Sequence, residues 1–363
     1  MSLAQQIKHK ALELGFDLVG ITDASPLNAR QAEFLTRWLK AGYAGQMHYL
    51  HRNLEKRTDP AKLLDNAQSA IIVGLNYKPP MPSSSLRVPM SSIGAKQSHL
   101  YSLTGKAAAY AQYEDYHLFI KNRLRTLSNF IASIAGKNLQ FKICVDSAPL
   151  AERALAVRAG LGFIGKNRML INPALGPQIF LGEIITTLKL QPDQPYPRHS
   201  EPIFCHSESG KGVVPDEESP MAITPKCDNC NKCITVCPTG ALIPDGLLDA
   251  NKCINYLTIE YKGQIPSDLS QKIGDRLFGC DDCVLACPYQ QNAPSCKNNQ
   301  FIFYADRARL DLQDILTLTE EAFETKFADS VIKRLGLETL KRNAKICLEN
   351  IDNKERFRGI MNP

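Results

Sequence analysis

Residues 227–238 read Cys227-Asp-Asn-Cys230-Asn-Lys-Cys233-Ile-Thr-Val-Cys237-Pro238. Residues 280–288 read Cys280-Asp-Asp-Cys283-Val-Leu-Ala-Cys287-Pro288, with Cys253 upstream. The first stretch has the C-x2-C-x2-C-x3-C-P spacing of a bacterial ferredoxin half. The second ends the same way but lacks one near cysteine, a place that Cys253 can fill. Three closely spaced thiolates wrap one 4Fe–4S cubane, while the fourth enters a helix and serves the other. That crossover predicts one cluster on Cys227, Cys230, Cys233 and Cys287, and a second on Cys237, Cys253, Cys280 and Cys283. Paired zinc sites are the rival reading, but zinc motifs set two short knuckles across a spacer and have no reason to end in Cys-Pro. A ferredoxin-like, two-cluster segment over 227–300 is therefore expected.

The rest of the 363 residues must receive or supply the electrons. The chain has twelve cysteines, and clustered thiols in a reducing compartment bind metal or do chemistry more often than they pair. Cys144, Cys205, Cys296 and Cys347 are scattered and read as core or surface thiols. No apolar run approaches the length of a membrane span, and the first residues, MSLAQQIKHKALELGF, carry no secretory h-region. A cytoplasmic protein without membrane attachment is expected. Charge is segregated. Residues 1–190 hold 23 Lys/Arg against 12 Asp/Glu, residues 191–330 hold 12 against 21, and residues from Val331 onward hold eight against four. The basic end is either a solvated face or a surface for a phosphate-rich partner.

Periodicity predicts a helix over 3–14, strands at 18–22 and 70–75, and a long surface loop over 80–105. Further on it predicts a long helix from about 108 to 135, a strand at 140–145, a helix at 149–159 and strands near 169–171 and 179–187. Helices interleaved with strands make residues 1–190 an α/β or α+β domain, and the fold class as a whole α+β. Residues 191–226, rich in Pro, Ser, Glu and Gly, read as a linker or insertion. Residues 301–363 read as helical, at 310–327 and 332–349.

Gly160-Leu-Gly162-Phe-Ile-Gly165 matches GxGxxG, yet a predicted helix precedes it and a strand follows. A dinucleotide site requires the reverse and an acidic residue about 20 positions on. The glycines read as a tight turn or a close backbone approach. Asp146 closes the strand at 140–145 just before Ser147-Ala148-Pro149. It reads either as a helix cap or as a proton donor at the mouth of a site, which would need burial to raise its pKa.

Four stretches together resemble epoxyqueuosine reductases: Asp115-Tyr116-His117 within YAQYEDYH, VDSAPLAERALAVRAGLGFIGKN (145–167), CINYLTIEYKG (253–263) and GCDDCVLACP (279–288). The resemblance spans residues 1 to about 350. It implies a cobalamin-binding domain of the nitroreductase/reductive-dehalogenase type over 1–190, the ferredoxin-like domain, and a short HEAT-like helical end over 301–363 that contacts tRNA. It implies reduction of epoxyqueuosine to queuosine at the wobble position of tRNA for Asp, Asn, His and Tyr. Electrons would pass from a flavodoxin or ferredoxin system through the clusters to cobalamin. Asp146 then takes the proton-donor role. Arg57, Tyr110, Asp146, Arg153, Lys166, Asn167 and Thr258 fall in stretches like those lining the family's cobalamin site. A monomer is implied as well. In AQYED, Tyr113 stands where relatives generally carry glycine, and residues 191–226 make a longer insertion than is usual. The rivals are another cobalamin and iron–sulfur reductase, such as a reductive dehalogenase-like enzyme, and an electron carrier with no substrate of its own.

Overall fold

The computed structural model describes residues 1–80, 103–136, 138–195, 227–244 and 246–361, with side chains as far as Asn353. Most of the predicted 80–105 loop, most of the 191–226 insertion, and Cys205 lie outside the described residues.

Two apolar runs decide the first half. Ser69–Asn76 is buried along its whole length, as a strand covered on both faces must be. It pairs with Leu18–Asp23 on one side and Ile179–Thr186 on the other, and Phe141–Cys144 completes the sheet. Every pairing in this sheet is antiparallel. Of the two readings for residues 1–190, the observed one is therefore α+β, and the parallel crossover a dinucleotide fold needs is missing from this sheet. One face is covered by helices Leu3–Glu13 and Tyr116–Ala135. Gly182 lets the longer helix approach, since a Cβ there would lie 2.6 Å from Ile120. The opposite face, carrying Ile72, Cys144 and Ile185, packs under the short helix Glu152–Arg158.

The long helix starts at Tyr116, later than the periodicity suggested, because Asp115 caps it by accepting the His117 N–H at 2.9 Å. Before it, Ala109–Gln112 is a single 3-10 turn and Tyr113 is buried, stacked on Phe301 at 4.6 Å. The bulk of Tyr113 is thus taken up by core packing, and Thr104–Ala107, partly assigned to the loop, is a strand. GLGFIGKN forms a small hairpin, Phe163–Ile164 against Leu170–Ile171. Gly162 has φ 155°, and a Cβ on it would meet the Ile171 carbonyl at 2.2 Å, so close backbone approach is its role.

The second core joins distant segments. A three-stranded sheet of Arg276–Phe278, Thr104–Ala107 and Arg309–Asp311 packs with Ile254, Leu257, Leu312, Phe323, Leu340, Ala344 and Cys347. The predicted helix at 310–327 is two helices, Leu312–Thr317 and Glu320–Lys326, divided by the Thr319 cap. The final helix, Leu337–Met361, is clamped to the segment that carries the cysteines. Arg342 donates to the carbonyls of Leu257, Tyr261 and Gly263, and the buried Asn343 amide donates to Thr258 O at 2.7 Å and Leu277 O at 3.0 Å. Replacing Asn343 by Ala strands two buried carbonyls and should cost about 2–3 kcal/mol. A lowered urea midpoint with an unchanged slope would record that loss. Among the described residues no helix is long and apolar enough to cross a membrane.

Candidate active site and cysteine centre

A cavity of about 1630 Å³ opens beside the main sheet. Its wall comes from the helix Ala29–Lys40, the turns around Tyr49–Arg57, residues 146–157, and Ile164 and Arg168 of the hairpin. Among the described residues seven arginines line it: Arg30, Arg37, Arg52, Arg57, Arg153, Arg168 and Arg334. Against them stand Asp146, Glu152 and Glu260. Such a wall favours an anionic or strongly hydrogen-bond-accepting guest.

Asp146 sits at the cavity in a left-handed conformation, φ 56°, which Asp tolerates better than most residues. Its backbone N–H donates to Glu152 Oε1 at 2.6 Å. Its carboxylate Oδ2 lies 3.1 Å from His117 Nε2, and the carboxyl also takes a hydrogen bond from Tyr116. The His117 hydrogen bond holds the Asp146 carboxyl below its ordinary range, with burial opposing. The donor reading requires burial to raise this pKa; the bond to His117 outweighs burial and lowers it, so the proton sits on the histidine side of the pair.

The other ring nitrogen of His117, Nδ1, lies 2.7 Å from Asp115 Oδ1. Burial alone would lower the His117 pKa, but its bonds to Asp115 and Asp146 outweigh burial and raise it. Arg334 Nη1 also approaches Nε2, at 3.0 Å. One nitrogen cannot serve both neighbours. Protonated, Nε2 donates to Asp146; neutral, it accepts from Arg334. Tyr116 fixes the ring from its flat side, stacked on His117 and on Phe180 at 4.0 Å each. The Asp115-Tyr116-His117 stretch thus supplies three site residues that sequence reasoning quoted but gave no role. Arg334, more than 200 residues further on, is counted in the sequence only within the basic end, with nothing to place it at this site.

Of the residues assigned to cobalamin on resemblance, Arg57, Asp146 and Arg153 line the cavity. Arg57 Nε is buried without a hydrogen-bond partner, a donor still to be satisfied. Tyr110 is half-buried, its ring 5.9 Å from that of Phe278. Lys166, Asn167 and Thr258 are placed elsewhere. Lys166 Nζ donates to Asp228 O at 2.7 Å, Cys230 O at 3.1 Å and Asn231 Oδ1 at 2.9 Å, and its backbone N–H to Cys227 Sγ at 3.3 Å. The buried Asn167 amide donates to Cys283 O at 3.3 Å. Thr258 is fully buried and accepts the Gly279 N–H at 3.0 Å, next to Cys280. These three residues hold the cysteine loops. The hairpin therefore faces two ways, with Ile164 and Arg168 on the cavity and Lys166 and Asn167 on the cysteines.

The eight motif cysteines fall into two neighbourhoods. Burial pushes the Cys287 thiol up to about 11, and Cys227 and Cys233 are near enough to add to the effect. Cys233 in turn feels Cys227 and Cys230. Burial raises the Cys253 thiol, with Cys237 adding to it. Burial also pushes Cys280 up to about 12, again with help from Cys253, and Cys283 feels Cys253 and Cys280 and, across from the other neighbourhood, Cys233. Thiols so raised lose their protons most readily to a bound metal centre.

Comparison with known proteins finds matches over both segments. Residues 226–290 match the family model described as 4Fe-4S double cluster binding domain, and residues 57–147 match the one described as Epoxyqueuosine reductase QueG, DUF1730. The epoxyqueuosine reductase of Vibrio cholerae is 35% identical over 98% of this chain and 85% of its own length. The Escherichia coli K12 epoxyqueuosine reductase is 34% identical over 96% of this chain and 81% of its own. Among solved structures, that of the Streptococcus thermophilus epoxyqueuosine reductase superimposes with a TM-score of 0.77 at 27% identity, over 99% of this chain and 85% of the other. A crystal structure of epoxyqueuosine reductase with an epoxyqueuosine-modified tRNA-Tyr stem loop gives 0.78 at 28% identity, over 96% and 81%. With the likeness running almost end to end and the cysteine domain and the Asp146 cavity both inside it, this chain belongs to the epoxyqueuosine reductase family of oxidoreductases.

Proposed function

We propose that this protein reduces epoxyqueuosine to queuosine at the wobble position of tRNA for Asp, Asn, His and Tyr. The overall change is epoxide plus two electrons and two protons to alkene plus water. The observation that carries the reading is Asp146 at an arginine-lined cavity, in contact with a histidine whose proton is held for it. One 4Fe–4S cluster would be held by Cys227, Cys230, Cys233 and Cys287, the other by Cys237, Cys253, Cys280 and Cys283; such clusters pass single electrons. The cavity also suits cobalamin, whose amide and phosphate groups match the Arg153 guanidinium and the unpartnered Arg57 Nε. When bound, cobalamin would supply a strongly reduced cobalt as the electron donor for the epoxide. Tyr110 would belong to the same wall. Lys166, Asn167 and Thr258 would act one layer behind it, fixing the cysteine loops against the cavity. The 1–190 segment would then be the cobalamin domain, of the reductive-dehalogenase type, and the helices after 301 a HEAT-like tRNA contact.

The anticodon stem-loop of tRNA is the partner, and its wobble base must leave its stack to reach Asp146. Arg30, Arg37 and Arg52 are exposed at the rim and suited to phosphate. Replacing Arg30 and Arg52 together by Gln should weaken stem-loop binding and flatten its salt dependence, lowering the log–log slope by about 1.4–1.8. Fluorescence anisotropy against potassium chloride concentration measures both. The proposed function itself is tested by anaerobic turnover. Protein carrying iron and cobalamin, reduced through a flavodoxin or ferredoxin system, should convert epoxyqueuosine-tRNA to queuosine-tRNA. Loaded protein that makes no queuosine would refute the reading.

A further inference from the structure

Epoxide reduction to an alkene releases the oxygen as water and so consumes two protons. The Asp146–His117 pair holds only one, shared across 3.1 Å. We propose that Glu152, bonded to the Asp146 backbone at the cavity wall, supplies the second proton, handing it to Asp146 once the first has gone to substrate oxygen.

The position of Glu152 comes from the sheet beneath it. It opens the helix Glu152–Arg158, which lies across the face of the sheet that carries Ile72 and Cys144. Between those two in register, on the central strand, stands Glu183, fully buried and with neither carboxyl oxygen hydrogen-bonded. No cation among the described residues comes to it, and burial pushes its pKa well up, favouring the neutral form. It also gives Glu152 no positive charge to lean on.

The groups that bear on Glu152 electrostatically are Asp146, which disfavours a second negative charge, and Arg153 and His117, which favour one. Arg57, Tyr116 and the Cys144 thiol feel Glu152 in turn. Burial dominates, Asp146 adds to it, and the Glu152 carboxyl is pushed up to about 8. Two adjoining carboxyls are thereby driven apart, with Asp146 ionised beside its histidine and Glu152 carrying a proton at neutral pH. In the balanced step, two electrons arrive through the clusters and both carbon–oxygen bonds break. The carbon–carbon double bond forms, and the oxygen leaves with one proton from the Asp146–His117 pair and one from Glu152. Glu152 is left as carboxylate and the Asp146–His117 pair without its proton, and solvent along the open cavity refills both.

This inference rests on the epoxyqueuosine reading, and its test separates the two. Glu152→Gln keeps the volume and the carbonyl that accepts the Asp146 N–H but has no proton to give. Single-turnover formation of queuosine would be followed in the holoenzyme across the neutral-to-alkaline range, alongside infrared spectra of cluster-loaded protein without substrate. Native protein should lose rate as pH rises through about 8 and show a protonated-carboxyl band that titrates there. In Glu152→Gln the rate should fall roughly 100-fold, lose that alkaline limb, and keep native stem-loop affinity, and the titrating band should be gone. A variant with the native rate and native alkaline limb overturns the proposal. If the native holoenzyme makes no queuosine, the functional reading fails. The infrared band then decides alone, and its absence near neutral pH removes Glu152 as a proton carrier.

Discussion

Asp146→Asn should cut queuosine formation by about 10²–10⁴-fold while iron content, cobalamin content and stem-loop affinity stay native. Asn is the informative replacement because it, like Asp, tolerates the left-handed backbone found there, φ 56°. An Ala variant would add loop strain to lost chemistry. The Asn amide cannot carry a proton from His117 to substrate oxygen, so the step that releases water stalls. A second readout follows from linkage. His117 is raised above its ordinary 6.5 by Asp115 and Asp146. The stability it contributes is full below the unfolded value and is lost as pH rises through the folded one. Without the Asp146 charge, the His117 titration should move down and that window should narrow, which NMR of the ring protons would record. An Asp146→Asn enzyme with native turnover would remove Asp146 from the reaction.

The second large effect concerns which cysteines share a cluster. Cys237→Ala, a change in the first motif, should strip the cluster of the second, leaving about four of about eight irons. The decisive protein is the double variant Cys237→Ala/Cys283→Ala. Under the crossover both losses fall on one cluster, and about four irons remain. If each motif served its own cluster, both would be damaged and almost none would remain. Cys253 beside Cys237, and Cys287 beside Cys227 and Cys233, favour the first result. Turnover should vanish in either case, because a relay with one member missing passes no current. Iron analysis and electron paramagnetic resonance distinguish the patterns.

The cysteines were legible because cluster ligation fixes spacing along the chain, and spacing is what a sequence displays. The strands at 69–76 and 179–186 were legible because central strands are continuous apolar runs, and the edge strand at 18–23 because its short apolar core is bounded by Gly15 and Asp23. The start of the long helix was not. Apolar periodicity runs back through Tyr110, and only the Asp115 side chain, bonding to its own helix, stops it at Tyr116. Asp146 could be placed at a strand end, but its protonation state depends on His117, which arrives from another helix. Lys166 and Asn167 are assigned to the cobalamin site by the resemblance of their stretch, and a hairpin turns both toward the cysteine loops. The one hint of Glu183 was a charge inside the apolar run Ile179–Thr186, a departure from pattern that marks a buried titratable group.

The second core has a consequence for how the protein is made. Cys253 and Cys280 leave the ribosome before Leu340, Ala344 and Cys347, yet they pack against one interior with them. At translation rates of about 5–20 residues per second, the sixty residues from Cys287 to Cys347 take on the order of 3–12 s. During that interval the cysteine loops lack the helix that Arg342 and Asn343 later clamp against them. The nascent thiols thus wait, exposed to oxidation, and durable loading with iron falls after synthesis. Co-expression of iron–sulfur assembly factors should therefore raise the yield of active protein more than slowing translation does.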